Sequence, residues 1–388
     1  MATHCLTGDI EEIASRLKSD AGAFAGSTIL LCGGHGFLGR YFISLFLYLN
    51  EHVLQQPCRL IVLDNHITSG RLGQAATGVG YRSIRHDIIQ PLKIKERIDY
   101  VIQAAGIASP YYYRKYPLET LEVATLGTKN LLMLGRAHPL KGLLFFSSSE
   151  VYGDPTPSAV PTPETYRGNV SSLGPRACYD ESKRLGETLC AIFHQLYGVP
   201  ATMVRPFNVY GPGMQQTDYR VLPNFASRIL AGEPLHVYGD GRQTRTFCYV
   251  TDAITGFLQV LLKGRRGDVY NIGNPQPELS MLKLAKTLER VLGRRIDLRL
   301  VEHPAAYPAD EPQRRCPDIR KATADVGYLP TVTLDEGLRR FMSWAQSSYT
   351  SRTVSKPKLS RGRAIRIARH SRRRPDGDSV GRAALTSR

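Results

Sequence analysis

From Ser27 the chain alternates short, nearly uninterrupted apolar runs with longer stretches whose apolar residues recur three and four positions apart. STILLCGG (27–34), RLIVLDN (59–65), YRSIRHD (81–87), DYVIQAAG (99–106) and GLLFFSSSE (142–150) read as strands closed by turn residues. Between them, segments 37–50, 116–138 and 175–198 have helical length. Strands apolar on both faces, alternating with helices, predict an α/β fold with a parallel sheet covered on both sides.

From about Tyr210 the rhythm changes. GPGMQQTDYRVLP, GEPLHVYGDGRQTRTFCYV and NIGNPQPELS are rich in Gly and Pro and predict a smaller lobe over the C-terminal edge of the sheet. The expected organisation is an extension over 1–26, a sheet domain over 27–207, and a lobe over 208–350 that returns some elements to the sheet. A tail, 351–388, follows. Within the extension, 9–19 predicts a short amphipathic helix, with Asp9 and Glu12 at the spacing of a capping box.

Composition adds little to this picture and charge adds more. With 388 residues, 42% apolar and 22% charged, the chain is neither fibrous nor wholly disordered. It has no uncharged apolar run of 18 residues, so no transmembrane helix is expected, and its opening residues lack the apolar core of a signal peptide. Seven scattered cysteines without a Cys-x-x-Cys pair fit reduced thiols in the cytoplasm and predict no metal site. Of the formal +17, residues 351–388 hold a surplus of ten, from 12 Lys and Arg against two Asp. That tail is too poor in large apolar groups to fold and reads as a solvated segment, or as an arm for nucleic acid. The +7 left on the other 350 residues suits a cleft for anionic small molecules.

The candidate chemistry sits at the strand ends. Gly33, Gly36 and Gly39 have G-x-x-G-x-x-G spacing between the first strand and the next helix. That spacing permits a tight turn and close approach of a pyrophosphate to a helix N-terminus. A glycine pattern alone is weak, since turns and caps use it too. The second strand ends in Asp64, whose carboxylate can accept from both ribose hydroxyls of an adenosine and would repel a 2′-phosphate, which favours NAD over NADP. Asp87 is a candidate adenine contact or a capping acid. The expected cofactor set is Gly33, Gly36, Phe37, Leu38, Gly39, Asp64, Asn65, Asp87, Ile88 and Ala104, with Tyr179 and Lys183 at the nicotinamide end. Tyr179 and Lys183 are four residues apart and share a face if helical, so the ammonium should lower the phenol's pKa and prepare it as a base. Ser148 is the natural third member, and Glu150 is either a capping acid or a catalytic one.

Together these residues make the chain resemble the extended short-chain dehydrogenase/reductases, the family of nucleotide-sugar epimerases, dehydratases and decarboxylases. The resemblance runs from about Thr28 to Trp344 and implies a Rossmann-type doubly wound sheet. Within the family the chain most resembles UDP-glucuronate decarboxylases. The segments that carry this are SSSEVYGDP, GPRACYDESKR, RPFNVYGP, DYRVLPNF, VYGDGRQTRTF, YNIGNP and QRRCPDIRKA. The resemblance implies NAD as cofactor, Tyr179 as base toward the sugar C4 hydroxyl, Ser148 as its helper, and Lys183 holding the phenolate. Glu150 and Arg315 match the acid and base that orient the sugar and its carboxylate. Tyr113, Asn208, Arg220, Tyr238 and Arg245 match substrate contacts. Dehydratases of this family carry an Asp-Glu pair where Ser149-Glu150 stands, and that missing acid favours decarboxylation over dehydration. Other features depart from the decarboxylase pattern: Ser148 for Thr, Ala105-Gly106-Ile107-Ala108-Ser109-Pro110 for a loop with two Ser-Pro pairs, and Ala124 for Asn. These departures keep open a dehydratase or 4-epimerase built on the same C4 oxidation. A silent protein that binds NAD or nucleic acid is the reading from another class, and the intact Tyr179–Lys183 pair argues against it. A family-type homodimer through helices 116–138 and 175–198 is also implied.

Overall fold

A computed structural model describes residues 5–69, 78–302 and 311–350, so what the sequence suggests for the tail 351–388 lies outside the described residues. The elements run α1 (Thr7–Leu17), β1 (Thr28–Cys32), α2 (Phe37–His52), β2 (Arg59–Asp64), β3 (Tyr81–Arg85), β4 (Tyr100–Gln103), α3 (Pro110–Lys115), α4 (Pro117–Glu122), α5 (Thr128–Ala137) and β5 (Gly142–Phe146). Next come α6 (Ala177–Tyr197), β6 (Ala201–Pro206), β7 (Val209–Tyr210), α7 (Val221–Leu230), β8 (Leu235–Tyr238), β9 (Thr244–Arg245), β10 (Cys248–Tyr249) and α8 (Val250–Lys263). The last are β11 (Val269–Ile272), β12 (Leu279–Ser280), α9 (Met281–Leu292), β13 (Leu298–Val301), β14 (Arg314–Arg315), α10 (Arg320–Val326) and α11 (Leu334–Ser348).

Seven parallel strands form the central sheet in the order β11-β6-β5-β4-β1-β2-β3, with the chain reversing direction of travel between β1 and β4. This is the doubly wound Rossmann arrangement, and the reversal opens a crevice at the carboxyl ends of β1 and β4. Alternation along β1 explains the two layers. Ile29 and Leu31 pack with Tyr41, Phe42 and Phe257 on one face, while Leu30 and Cys32 pack with Leu131, Cys190 and Phe193 on the other. The small three-stranded sheet β12-β9-β14 and the pair β13-β8 lie beyond β6 in the chain, and β14 brings Arg315 to the second half of the crevice.

Two expectations change. The capping box does not form: α1 begins at Thr7 behind Leu6, without a side-chain cap, and Asp9 is buried. Its carboxylate accepts from the hydroxyls of Tyr41 (3.0 Å) and Tyr249 (3.0 Å), so internal hydrogen bonds outcompete the local cap. The helix expected over 116–138 is broken by a wider π turn at Val123–Gly127. A Cβ at Gly127 would stand 2.7 Å from Ile88, so the turn is pressed against the loop after β3. Among the described residues, no helix is long and apolar enough to cross a membrane.

Candidate active site

The glycine turn closes β1 and starts α2. Gly33 has φ of 79°, and a Cβ there would lie 2.6 Å from the Ala105 backbone. A Cβ on Gly39 would lie 2.2 Å from the Gly33 carbonyl oxygen, so helix and turn touch backbone to backbone. Gly36 is the N-cap of the 16-residue α2, which has no side-chain cap and no acid in its first turn. The N-terminus of α2 is thus open to an anion. Asp64 is fixed by the amides of His35 (2.9 Å) and His66 (2.8 Å), which leaves lone pairs on both oxygens. Asn65 donates to Asp87 at 2.9 Å. Gly33, Gly36, Asp64, Asn65, Asp87, Ile88 and Ala104 line one cavity. It adjoins a larger one of about 260 Å³ that includes Phe37, Leu38, Gly39, Ser148, Glu150, Tyr179, Lys183, Asn208, Arg220 and Arg315. The residues expected to hold a dinucleotide and those expected to act on a sugar therefore share one continuous space. Its glycine cradle, open helix end and ribose-directed carboxylate fit NAD.

Tyr179 and Lys183 sit one turn apart on the buried face of α6, whose Gly186 lets the helix approach Phe145 of β5. Lys183 donates from Nζ to the Phe146 carbonyl at 2.8 Å, and its Nζ is 5.7 Å from the centre of the Tyr179 ring. Burial pulls Lys183 down to about 8. The sequence expectation for Tyr179 is corrected here. Burial pushes its phenol up to about 12, and the Ser148 hydroxyl hydrogen-bonded to it opposes this, whereas Lys183 is turned to a carbonyl. Ser148 follows β5 directly, and its Oγ also accepts from the Glu150 amide at 3.2 Å. Tyr113 is buried against Tyr179.

Glu150 is held by Arg315, whose two terminal nitrogens each lie 2.6 Å from a carboxylate oxygen. Arg315 is buried, while its neighbour Arg314 pairs with Glu278 nearer the surface, which sets aside a surface basic cluster. Asn208, at φ of 41°, donates to the Thr246 carbonyl at 2.8 Å, and Arg220 pairs with Asp218 at 2.5 Å. Arg245 and Tyr238 do not line the cavity: Arg245 is engaged with Glu311 at 2.7 Å, and Tyr238 closes β8. Sequence reasoning missed Arg176, Asp180 and Glu311. Arg176 donates to Glu150, to Glu311 at 2.6 Å and to Asp180 at 3.5 Å. Arg176 and Asp180 stand four apart beside Tyr179, a signal that could have found them; Glu311, in a run of Pro and Ala, gives none. Among the described residues, no cluster of three or more His, Cys, Asp or Glu could hold a metal.

Residues 29–273 match the NAD dependent epimerase/dehydratase family, and the chain belongs to that family. It is 37% identical over 340 residues to UDP-glucuronic acid decarboxylase 1 of Xenopus tropicalis, covering 86% of this chain and 76% of that protein. It is 38% identical over 313 residues to UDP-glucuronic acid decarboxylase 5 of Arabidopsis thaliana, covering 80% and 86%. Among solved structures it is similar to DesIV, the dTDP-glucose 4,6-dehydratase of Streptomyces venezuelae crystallised with NAD bound. That likeness has 26% identity, a TM-score of 0.71, and covers 82% of this chain and 97% of the other.

Proposed function

We propose that the chain is an NAD-dependent decarboxylase that converts UDP-glucuronate to UDP-xylose through a transient 4-keto sugar. One observation carries this reading: Arg315 and Glu150 share a cavity with Ser148, Tyr179 and the glycine turn, so groups suited to a carboxylate stand beside groups suited to oxidising C4. The decarboxylase relatives supply the substrate class. Residues 27–207 would supply most of the cofactor half and 208–350 most of the sugar half.

In this reading Gly33, Gly36, Phe37, Leu38 and Gly39 take the pyrophosphate of NAD, Asp64 the adenosine ribose, and Asn65, Asp87, Ile88 and Ala104 the adenine end. Bound NAD brings a cationic nicotinamide that accepts the C4 hydride and gives it back, so none is consumed. The positive charges of the bound nicotinamide and of Lys183 would together offset the burial of Tyr179, so that it removes the C4 hydroxyl proton while Ser148 hydrogen-bonds the C4 oxygen; Lys183 would also hold the nicotinamide ribose. The resulting sugar is a β-keto acid. The bond from C5 to its carboxyl carbon breaks, carbon dioxide leaves, and the electron pair delocalises onto the C4 ketone. C5 then takes a proton, and Tyr179 returns its own to the C4 oxygen. Glu150 and Arg315 orient the sugar and its carboxylate. Tyr113, Asn208 and Arg220 serve the sugar and diphosphate, while Arg245 and Tyr238, outside the cavity lining, carry no contact in this reading.

Exposed Leu118, Leu121, Leu126 and Met133 on the α4–α5 segment, with Leu185, Ile192 and Leu196 on α6, support a homodimer through these helices. Seven free cysteines support a reducing compartment, the cytoplasm.

The test is incubation with UDP-glucuronate and NAD, followed by mass spectrometry of the nucleotide sugar. Loss of carbon dioxide is expected. Loss of water would make the chain a dehydratase, and unchanged mass with inverted C4 would make it an epimerase.

A further inference from the structure

Around Glu150 the described residues place three guanidiniums and three carboxylates in alternation. Arg245 pairs with Glu311 (2.7 Å), Glu311 with Arg176 (2.6 Å), Arg176 with Glu150, and Glu150 with Arg315 (2.6 Å). Asp180 closes the set on Arg176 at 3.5 Å. Arg176, Asp180, Arg245 and Arg315 are all buried. Only Glu150 and Arg315 line the cavity, so Arg176 and Glu311 act through them. With every group ionised the set is neutral, a state reached only above about pH 7, because burial pushes the Asp180 carboxyl up to about 7. Burial would raise Glu311, but Arg245 and Arg176 outweigh it and hold its carboxyl down at about 2.

The pairing has a chemical consequence for the proposed reaction, on which this inference rests. A sugar carboxylate that leaves as carbon dioxide loses its charge on the way to the transition state. An unpaired guanidinium clamped on it would stabilise the ground state more than the transition state and so slow the cleavage. Arg315 is not such a clamp. Each of its terminal nitrogens donates to a Glu150 oxygen, so its charge is already engaged within the protein. A carboxylate in the cavity therefore meets a guanidinium whose charge Glu150 already offsets.

We infer that Arg176 and Glu311 are positioning residues that keep the arginines of the sugar pocket charge-compensated, and that this balance directs the 4-keto sugar toward loss of its carboxylate. Glu311 balances the far side of Arg176 and engages Arg245. Arg176 in turn fixes Glu150 against Arg315. Removing the negative charge of Glu311 makes the pocket more positive by one charge; removing the positive charge of Arg176 makes it more negative by one.

The two variants Glu311→Gln and Arg176→Gln should therefore move KM for UDP-glucuronate in opposite directions. Rates are normalised to the concentration of NAD-binding sites, which removes any misfolded fraction. Glu311→Gln is expected to lower both KM and kcat, each by roughly tenfold, the size of one partly desolvated charge interaction. More of its product should leave as the 4-keto sugar or the C4 epimer. Arg176→Gln is expected to raise KM by a similar factor, and Glu311→Asp to move both constants back toward the native values. A scaffold role alone would raise KM in both Gln variants and leave the product ratio unchanged, and that result overturns the inference. If the native chain releases no carbon dioxide from UDP-glucuronate, the decarboxylase reading falls and this inference falls with it.

Discussion

Tyr113 lies flat on Tyr179, with ring centroids 5.6 Å apart and planes 19° from parallel. The stack ties α3 to the catalytic face of α6 and fixes the plane of the proposed base. The Tyr113 hydroxyl is buried without a hydrogen-bond partner, and burial pushes its pKa well above the ordinary phenol value. Tyr113→Phe thus breaks no protein hydrogen bond and should leave the melting temperature unchanged or higher. If the hydroxyl meets the sugar as proposed, KM should rise about threefold to tenfold, the worth of one neutral hydrogen bond. Tyr113→Ala should destabilise the fold by about 3–5 kcal/mol and also lower kcat, because the Tyr179 ring loses its support. Melting curves and steady-state kinetics on both variants check this; an unchanged KM in Tyr113→Phe would remove Tyr113 from the sugar site.

Lys183 gives a pH-dependent prediction. Burial lowers its pKa from 10.5 to about 8, so between those values the unfolded chain holds a proton that the folded chain lacks. Stability should therefore climb as pH rises through that window. Below pH 8 the lysine is charged in both states, and its burial costs about 3 kcal/mol. Lys183→Met removes that cost and also the bond to the Phe146 carbonyl, worth about 1 kcal/mol. The variant should be more stable than the native chain at pH 7 by about 2 kcal/mol, lose that advantage toward pH 10, and have little turnover. Urea unfolding at both pH values measures it. Lower stability of the variant at pH 7 would contradict the burial argument.

The glycine turn separates two effects that look alike in sequence. At Gly39 an added Cβ meets the Gly33 carbonyl at 2.2 Å and the Gly34 Cα at 2.6 Å, backbone that cannot yield without opening the turn. At Gly36 the nearest atom is at 3.4 Å, an ordinary contact. Gly39→Ala should lower both the melting temperature and NAD affinity. Gly36→Ala should melt like the native chain and still bind NAD at least about tenfold more weakly, because its methyl enters the cradle. Calorimetric titration with NAD alongside melting curves distinguishes them. Native affinity in Gly36→Ala would place the pyrophosphate elsewhere.

The five strands between 28 and 146 and the helices α2 and α6 were legible in the sequence, because apolar strands and amphipathic helices leave periodic signals, whereas the π turn that interrupts 116–138 leaves none. So were Tyr179, Lys183, Ser148 and Asp64, which stand at strand ends or helix starts with fixed spacing. The ionic set was only half legible. Arg315 and Glu150 could be singled out, but Glu311 reaches Arg176 across 135 positions, and no local pattern encodes such a contact. The pKa of Tyr179 was misjudged for a related reason: spacing shows that a lysine is near but not how deeply both side chains are buried. Likewise, the residues around Asp9 were readable as a helix, but the inward turn of its carboxylate depends on Tyr249, 240 positions away.

That inward turn makes the first helix part of the core. Ile10, Ile13, Leu17 and Phe24 are buried with α2 and α8, and Asp9 gathers Tyr41, Tyr249 and Arg340. Arg340 also reaches Glu12 at 2.6 Å, and Arg16 reaches Asp252 at 2.6 Å, so α1 is tied to α8 and α11 by charge as well as by packing. Ile13→Ala should cost about 2–5 kcal/mol through the cavity it leaves. Asp9→Ala should cost a comparable amount, since two buried hydroxyls lose their acceptor at about 1–3 kcal/mol each. Asp9→Asn keeps an acceptor oxygen. Burial raises the Asp9 pKa, so removing the charge also relieves a desolvation cost, and this variant should lose much less. None of these residues lines the sugar cavity, so turnover per folded molecule should stay at the native value in all three, while stability falls least in Asp9→Asn. Urea unfolding with activity measured on the folded fraction checks this. Equal stability of Asp9→Ala and Asp9→Asn would show that the two tyrosine hydroxyls do not depend on this carboxylate.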